Sequence, residues 1–288
     1  MPELPEVEIV RQSLNKKIKG KTIEKVLIKN RNLRFKIQSN FRNLLKNKKI
    51  INISRRSKYL IIHIEKEKFL LIHFGMSGTL HLLNKKSKDI GYTNLSFYHS
   101  KKIPKKHNHV TIKFSQFKIV YNDPRRFGFM KILFSKKELN NFFNNYGPEP
   151  LDSKFNFNYL REKFKNKKKN IKNLLLDQII VSGIGNIYAN EILFYSKINP
   201  KKKAKNLVNS EIYSLIKFSR IVLKKAIKKG GSSIKNFTNT KGYSGSFQKE
   251  FRVYERQNEK CFKKNCKGII KKIVISNRST FFCKNCQK

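Results

Sequence analysis

The chain is expected to fold as a two-domain α+β protein: a β-sandwich carrying a leading α-helix, then a helical half, then a small ribbon. Three observations predict this. A helical stripe at the N-terminus gives way to short apolar runs between Lys21 and Phe134. The period turns helical after a Gly/Pro-marked stretch at Gly147–Pro150, and all four cysteines lie beyond residue 260. A length of 288 residues is comfortable for two such domains and their cores.

The elements follow in order. Val7, Val10, Leu14 and Ile18 fall on one stripe at helical spacing, starting near Pro5 and Glu6, and Gly20 supplies a left-handed stop. Val110, Ile112 and Phe114 alternate with polar neighbours. Apolar runs at Tyr59–Ile64, Phe69–Phe74, Phe117–Tyr121 and Phe129–Phe134 read as strands of a sandwich. Residues 1–134 are therefore one domain and 135–150 a linker. Beyond it, Ile171–Gln178 and Ile187–Lys197 read as two short helices around the turn 181–186. A longer helix follows, with Ser210 as its N-cap, Ile212, Leu215, Ile216, Ser219, Val222 and Ala226 inward, and Gly230 at its end. Ser232–Phe247 has a loop's composition and no period. The helical domain is expected over 151–250 and the ribbon over 251–288.

Charge narrows the partners. Lys and Arg total 66 against 18 Asp and Glu, a net charge of +48. A polyanion relieves that self-repulsion, so nucleic acid leads. Disorder is disfavoured by the 39% hydrophobic content. No apolar run approaches the ~18 residues of a membrane span, and the first residues hold glutamates where a signal peptide has a basic start. A cytoplasmic, nucleoid-associated monomer with no membrane partner is the expectation. Lys, Asn, Ile and Phe are all heavily used, as in an A/T-rich coding sequence, so an isolated Lys run is read as a solvated face.

Cys261-x4-Cys266, sixteen residues, and Cys283-x2-Cys286 place two thiolate pairs on two knuckles with strand-like residues between them. Four sulfurs in two close pairs suit one tetrahedral structural Zn²⁺. A disulfide does not suit a chain without a secretory signal. Residues 251–288 carry eleven Lys/Arg and two Glu, so the ribbon is basic.

The N-terminus reads Met1-Pro2-Glu3-Leu4-Pro5-Glu6-Val7-Glu8. With Met1 removed, Pro2 exposes a secondary amine able to attack an electrophilic sugar carbon and collapse to an iminium. Glu3 beside it is placed for proton transfer. The same residues also suit a plain helix start, with Pro in the first turn and acids favoured by the dipole.

These residues join other blocks: Ser57-Lys58-Tyr59, His73–Gly78, Asp123–Gly128, Gly147–Pro150, Gly183–Ala189 and the terminal cysteines. Together, and in this order, they resemble bacterial formamidopyrimidine-DNA glycosylase. The related endonuclease VIII group typically has Pro-Glu-Gly-Pro at its start, where this chain has Leu4. A non-catalytic zinc-ribbon DNA-binding protein is a further alternative, but binding alone makes no demand on a prolyl amine.

The resemblance implies a helix–two-turn–helix motif ahead of the zinc ribbon. It also implies a glycosylase and lyase acting on oxidised purines, chiefly 8-oxoguanine and formamidopyrimidines, in damaged double-stranded DNA. In that light Pro2 is the nucleophile at C1′ and Glu3 its proton-transfer partner. Lys58 matches the lysine of β-elimination, and Arg278 the ribbon arginine of δ-elimination. His107, Arg125, Lys167 and Asn186 fall where the family contacts the DNA backbone. Met76, Arg125 and Phe127 match the residues that fill the gap left by an extruded base. As bare residues, Lys58 also suits a phosphate clamp, Met76 and Phe127 suit core, and Asn186 suits a helix cap. Loop Ser232–Phe247 corresponds to the lesion-capping loop. DNA is expected between the two halves.

Overall fold

In a computed structural model, residues 1–84, 106–232 and 246–288 are described. They fall into two compact units, Met1–Asn144 with Ile227–Gln248, and Asn145–Ala226 with Lys249–Lys288.

The first unit opens with α1 (Leu4–Ile18), followed by β1 (Lys25–Ile28) and the short α2 (Phe41–Leu45). Strands β2 (Ile50–Arg56), β3 (Tyr59–Ile64), β4 (Lys68–His73) and β5 (Thr79–Asn84) come next. Then come β6 (Asn108–Lys113), β7 (Phe117–Asn122), β8 (Phe129–Leu133) and α3 (Lys136–Phe143). The strands form two four-stranded antiparallel sheets, ordered β1-β6-β7-β5 and β2-β3-β4-β8. The core lies between them. Leu60, Ile62, Leu70 and Ile72 from one sheet meet Val110, Ile112 and Ile119 from the other, joined by the α1 stripe Val7, Val10, Leu14 and Ile18. That stripe is at most 1% exposed, as its helical spacing requires. Gly20 ends the helix at φ +78°.

Strands β3 and β4 are apolar through their middles, residues 60–62 and 69–72, because both faces are covered there. Their outer residues Ile61, Phe69 and Leu71 pack with Phe129 and Leu133 under Leu139, Phe142 and Phe143 of α3. Helix α3 thus lies within residues 135–150. It is capped by Ser135, whose Oγ accepts the Glu138 N–H at 3.1 Å.

The second unit contains α4 (Phe157–Phe164), α5 (Ile171–Leu176), α6 (Asn186–Tyr195), most of α7 (Asn209–Lys228), and the hairpin β9 (Ile270–Ile275) and β10 (Arg278–Cys283). Asn156 and Asn170 cap α4 and α5, accepting the N–H of Tyr159 at 3.0 Å and of Asn173 at 2.9 Å. The inward face of α7 is as its period predicts, with Ile212, Leu215, Ile216, Ser219, Val222 and Ala226 all buried. Its start differs. Ser210 lies inside the helix, and Glu211 Oε2 reaches back to accept the Val208 N–H at 3.0 Å. A glutamate one turn in has taken the capping work from the serine. Most of the expected lesion-capping loop, 233–245, lies outside the described residues.

Candidate active site

Helix α1 begins at Leu4, so its first turn follows directly on Pro2 and Glu3. Glu3 and Glu6 form a capping box, in which Glu6 Oε2 accepts the Glu3 N–H at 3.0 Å. Pro2 is buried, and Glu3 and Glu6 are each 3% exposed. Glu6 Oε1 also accepts both the N–H and the hydroxyl of Ser232 at 2.9 Å. The residue entering the Gly/Ser-rich loop is thereby tied to the helix start.

Lys58 sits in the two-residue turn joining β2 and β3, where Ser57 adopts φ +56°. It is 7% exposed. The neighbouring Arg55 anchors the turn. Its guanidinium donates to the Ser57 carbonyl at 2.9 Å and to Glu8 on α1 at 3.1 Å. Hydrogen bonds from Arg11 and the charge of Arg55 outweigh burial and hold Glu8 below its ordinary carboxylate value.

The terminal amine senses this assembly. Burial depresses its pKa most; Glu3 and Glu6 oppose, while the charges of Lys58 and Arg125 lower it further. Burial, with Lys58 and Arg34 nearby, pushes His73 down to about 4. Its imidazole is therefore neutral near pH 7, and Nδ1 accepts the Gly75 N–H at 3.2 Å.

Met1, His73, Met76, Arg125 and Phe127 line one open pocket of about 710 Å³. Met76 is 49% and Phe127 43% exposed, so neither is the core residue its type alone suggests. The Arg125 guanidinium lies 4.5 Å from the Phe127 ring centroid. The loop that carries them is built on Asp123, fully buried at the end of β7. Its carboxylate accepts from the Ser77 hydroxyl, from Tyr121 Oη at 3.1 Å and from the Gly128 N–H at 2.8 Å. Ser77 Oγ in turn accepts the Arg125 N–H at 3.1 Å. Gly75 is needed at φ +58°, because a Cβ there would lie 2.4 Å from the Phe127 carbonyl carbon. His107 is exposed at φ +68°, and its carbonyl accepts the Asp123 N–H at 3.1 Å. Asp123 and Glu6 lie in blocks that the sequence singles out, and Ser232 opens the expected loop, but the organising role of all three comes from their burial and hydrogen bonds. Burial separates them from surface acids and serines, and no one-dimensional pattern carries that.

In the second unit, Lys167 is exposed after α4. Asn186 is the first residue of α6, and Gly185 is its N-cap. The Asn186 side chain does not cap the helix; Nδ2 donates to the Ser279 carbonyl at 3.0 Å. Arg278 is exposed beside the β9–β10 turn, where Ser276 and Asn277 both take positive φ. The four cysteine sulfurs lie within 4.8 Å of one another. Cys261–Cys286 and Cys266–Cys283 Sγ separations are both 3.7 Å. Zn–S bonds of ~2.3 Å set tetrahedral edges of roughly 3.8 Å, so the donors fit one Zn²⁺. The Gly268 N–H donates to Cys266 Sγ at 3.4 Å and is the largest cause holding that thiol at about 7, which favours the ligating thiolate.

Residues 1–130 match the formamidopyrimidine-DNA glycosylase N-terminal domain, 146–238 its H2TH domain, and 259–288 the zinc finger found in FPG and IleRS. The formamidopyrimidine-DNA glycosylase of Wolbachia sp. subsp. Drosophila simulans (strain wRi) is 41% identical over the whole of both chains. This chain belongs to the formamidopyrimidine-DNA glycosylase family. The enzyme of that name from Rickettsia bellii (strain OSU 85-389) is also 41% identical over the full length of both chains. A Lactococcus lactis glycosylase variant, solved in complex with a Fapy-dG containing DNA, superposes with a TM-score of 0.88 at 35% identity, covering all of both chains. The Lactococcus lactis protein with an abasic site containing DNA gives 0.87, also at 35%, covering 99% of both chains. The chain is thus a DNA-repair enzyme of a glycosylase and lyase family, and its ribbon is a structural zinc site. Among the described residues no helix is long and apolar enough to cross a membrane.

Proposed function

We propose that this chain excises oxidised purines, 8-oxoguanine and formamidopyrimidines, from damaged duplex DNA and then cleaves the strand by β,δ-elimination. With Met1 removed, the Pro2 nitrogen attacks C1′ of the flipped nucleotide. The glycosidic bond breaks, the base leaves with a proton, and an iminium forms. Glu3 moves protons at the opening sugar ring. Loss of a C2′ proton expels the 3′ phosphate, with Lys58 assisting, and a second elimination aided by Arg278 expels the 5′ phosphate. Hydrolysis then returns the free amine.

The observation that carries this reading is Pro2, buried at the start of α1 beside the capping box of Glu3 and Glu6, with the buried cation Lys58 acting on the same terminus. Loss of Met1 frees the Pro2 nitrogen as a secondary amine next to Glu3, the group placed for proton transfer. Exposed Met76 and Phe127 serve as wedges for the vacated stack, at a cost of a few kcal/mol of unstacking offset by contacts to bent DNA. His107, Arg125, Lys167 and Asn186 hold the backbone. The enzyme acts as a cytoplasmic, nucleoid-associated monomer.

Borohydride trapping on duplex containing 8-oxoguanine opposite cytosine tests the reading. A covalent adduct at Pro2 is expected from protein lacking Met1, and none from Pro2→Gly. An active sample still carrying Met1 overturns the mechanism. Faster excision of thymine glycol than of 8-oxoguanine overturns the substrate.

A further inference from the structure

We propose that Lys172 and Asn173 on α5 are positioning residues that aim Arg278 by gripping the hairpin turn on both of its sides. The proposal rests on the role given above to Arg278.

Arg278 is the first residue of β10, paired with Ile275 across a two-residue turn. It is exposed, and it lies far along the hairpin from the metal-binding end, where Cys283 pairs with Ile270. Zinc fixes the base of this hairpin and leaves a two-stranded ribbon to hold its tip, and such ribbons are marginal by themselves. An arginine that must meet a phosphate leaving group within a few tenths of an ångström needs more support than that.

Helix α5 supplies it. Lys172 is fully buried, and its Nζ donates to the Ser279 carbonyl at 2.9 Å and to Thr280 Oγ1 at 2.7 Å. The next residue, Asn173, donates from Nδ2 to Ser276 Oγ at 2.8 Å. Ser276 and Ser279 bracket the Asn277–Arg278 pair, so adjacent residues of one helix hold both legs of the turn. Burying a lysine is costly unless its charge is met by hydrogen-bond acceptors. Spending it on a carbonyl one residue from Arg278 marks that spot as one where position matters. Helix α6 adds Asn186 Nδ2 to the same Ser279 carbonyl and accepts the Phe281 N–H on Asn190 Oδ1 at 2.8 Å. Its first residue is the one expected at a DNA phosphate, so a strand held at α6 is registered against the arginine through a single carbonyl.

The test separates the two eliminations. Lys172→Met keeps the length of the side chain and removes its donors; Asn173→Ala releases the other leg from the surface without opening a cavity. Both are assayed as full-length zinc-loaded protein for trapping on 8-oxoguanine duplex, for the ratio of δ- to β-elimination product, and for zinc per chain. Trapping and zinc content are expected to hold while the δ-to-β ratio falls, by about tenfold for Lys172→Met and less for Asn173→Ala. Arg278→Ala is the reference. If it lowers the ratio and neither helix variant does, the grip is not a positioning device. If Arg278→Ala itself leaves the ratio unchanged, the role assigned to Arg278 fails instead. Should Lys172→Met lose zinc or fold poorly, Asn173→Ala decides alone, and an unchanged ratio there overturns the proposal.

Discussion

Two short segments carry exposed arginines proposed for DNA chemistry, and they are held by opposite means. Loop 123–128 is irregular, with Arg126 at φ +57°, and it takes its shape from one carboxylate within the loop. Asp123 is wholly buried and satisfies Ser77, Tyr121 and Gly128. The turn before Arg278 is a regular two-residue hairpin with no buried charge of its own, gripped from outside by α5 and anchored by metal-binding cysteines at its base. A loop organised from within fails when one side chain changes. A turn organised from without fails when its supports are withdrawn, and those lie far away in sequence.

The largest effect separating them is expected from zinc removal. Structural zinc sites contribute on the order of 10 kcal/mol of folding free energy. Chelation should abolish amide protection in β9 and β10 while leaving β6 and β7 protected; hydrogen exchange reads both, and protected ribbon amides after proven metal loss would contradict the assignment. Next is Asp123→Asn, which turns an amide donor toward groups that already donate. A cost of about 3 kcal/mol is expected in denaturant unfolding. Tyr121, now raised well above its ordinary value by burial and by Asp123, should titrate closer to 10. An unchanged midpoint would show that the loop is not built on this carboxylate.

Acid sharpens the comparison further. Burial holds both His73 and His81 at about 4, against an ordinary 6.5. The unfolded chain therefore takes up these protons first, so stability is complete above about 6.5 and declines as pH falls toward about 4. Each contributes at most about 3 kcal/mol over that window. His81→Gln should flatten the decline measured by thermal unfolding, and an equally steep profile would exclude His81 as a cause. The smallest effect is at Glu8, whose carboxylate is held below its ordinary value and so favours folding at neutral pH. Glu8→Gln should cost about 1 kcal/mol, an effect that fades as acid protonates the wild-type group.

Much of the architecture was legible in the sequence where burial is continuous or periodic. Strand β3 matches its apolar run residue for residue, α7 buries the face its spacing marks, and the cysteine knuckles converge as their spacing implied. Elements with one wet face or little length were not legible. Strand β2 reads Ile-Ile-Asn-Ile-Ser-Arg-Arg, β5 points His81 inward against Thr79, and α2 has only five residues. The candidate site divides in the same way. Its blocks stood out as motifs, Asp123 and Glu6 among them, but that these carboxylates are buried and shape the site was not legible, and Lys172 looks in sequence like any surface charge.

Local order therefore followed from periodicity and spacing, because hydrophobic burial and thiolate geometry act between residues whose separation along the chain is set by the element itself. Tertiary structure alone decided which charges left water. Glu6 meets Ser232 across 226 positions and Lys172 meets Thr280 across 108. The stabilisation of a buried ion depends on donors and acceptors that only the closed fold brings within 3 Å.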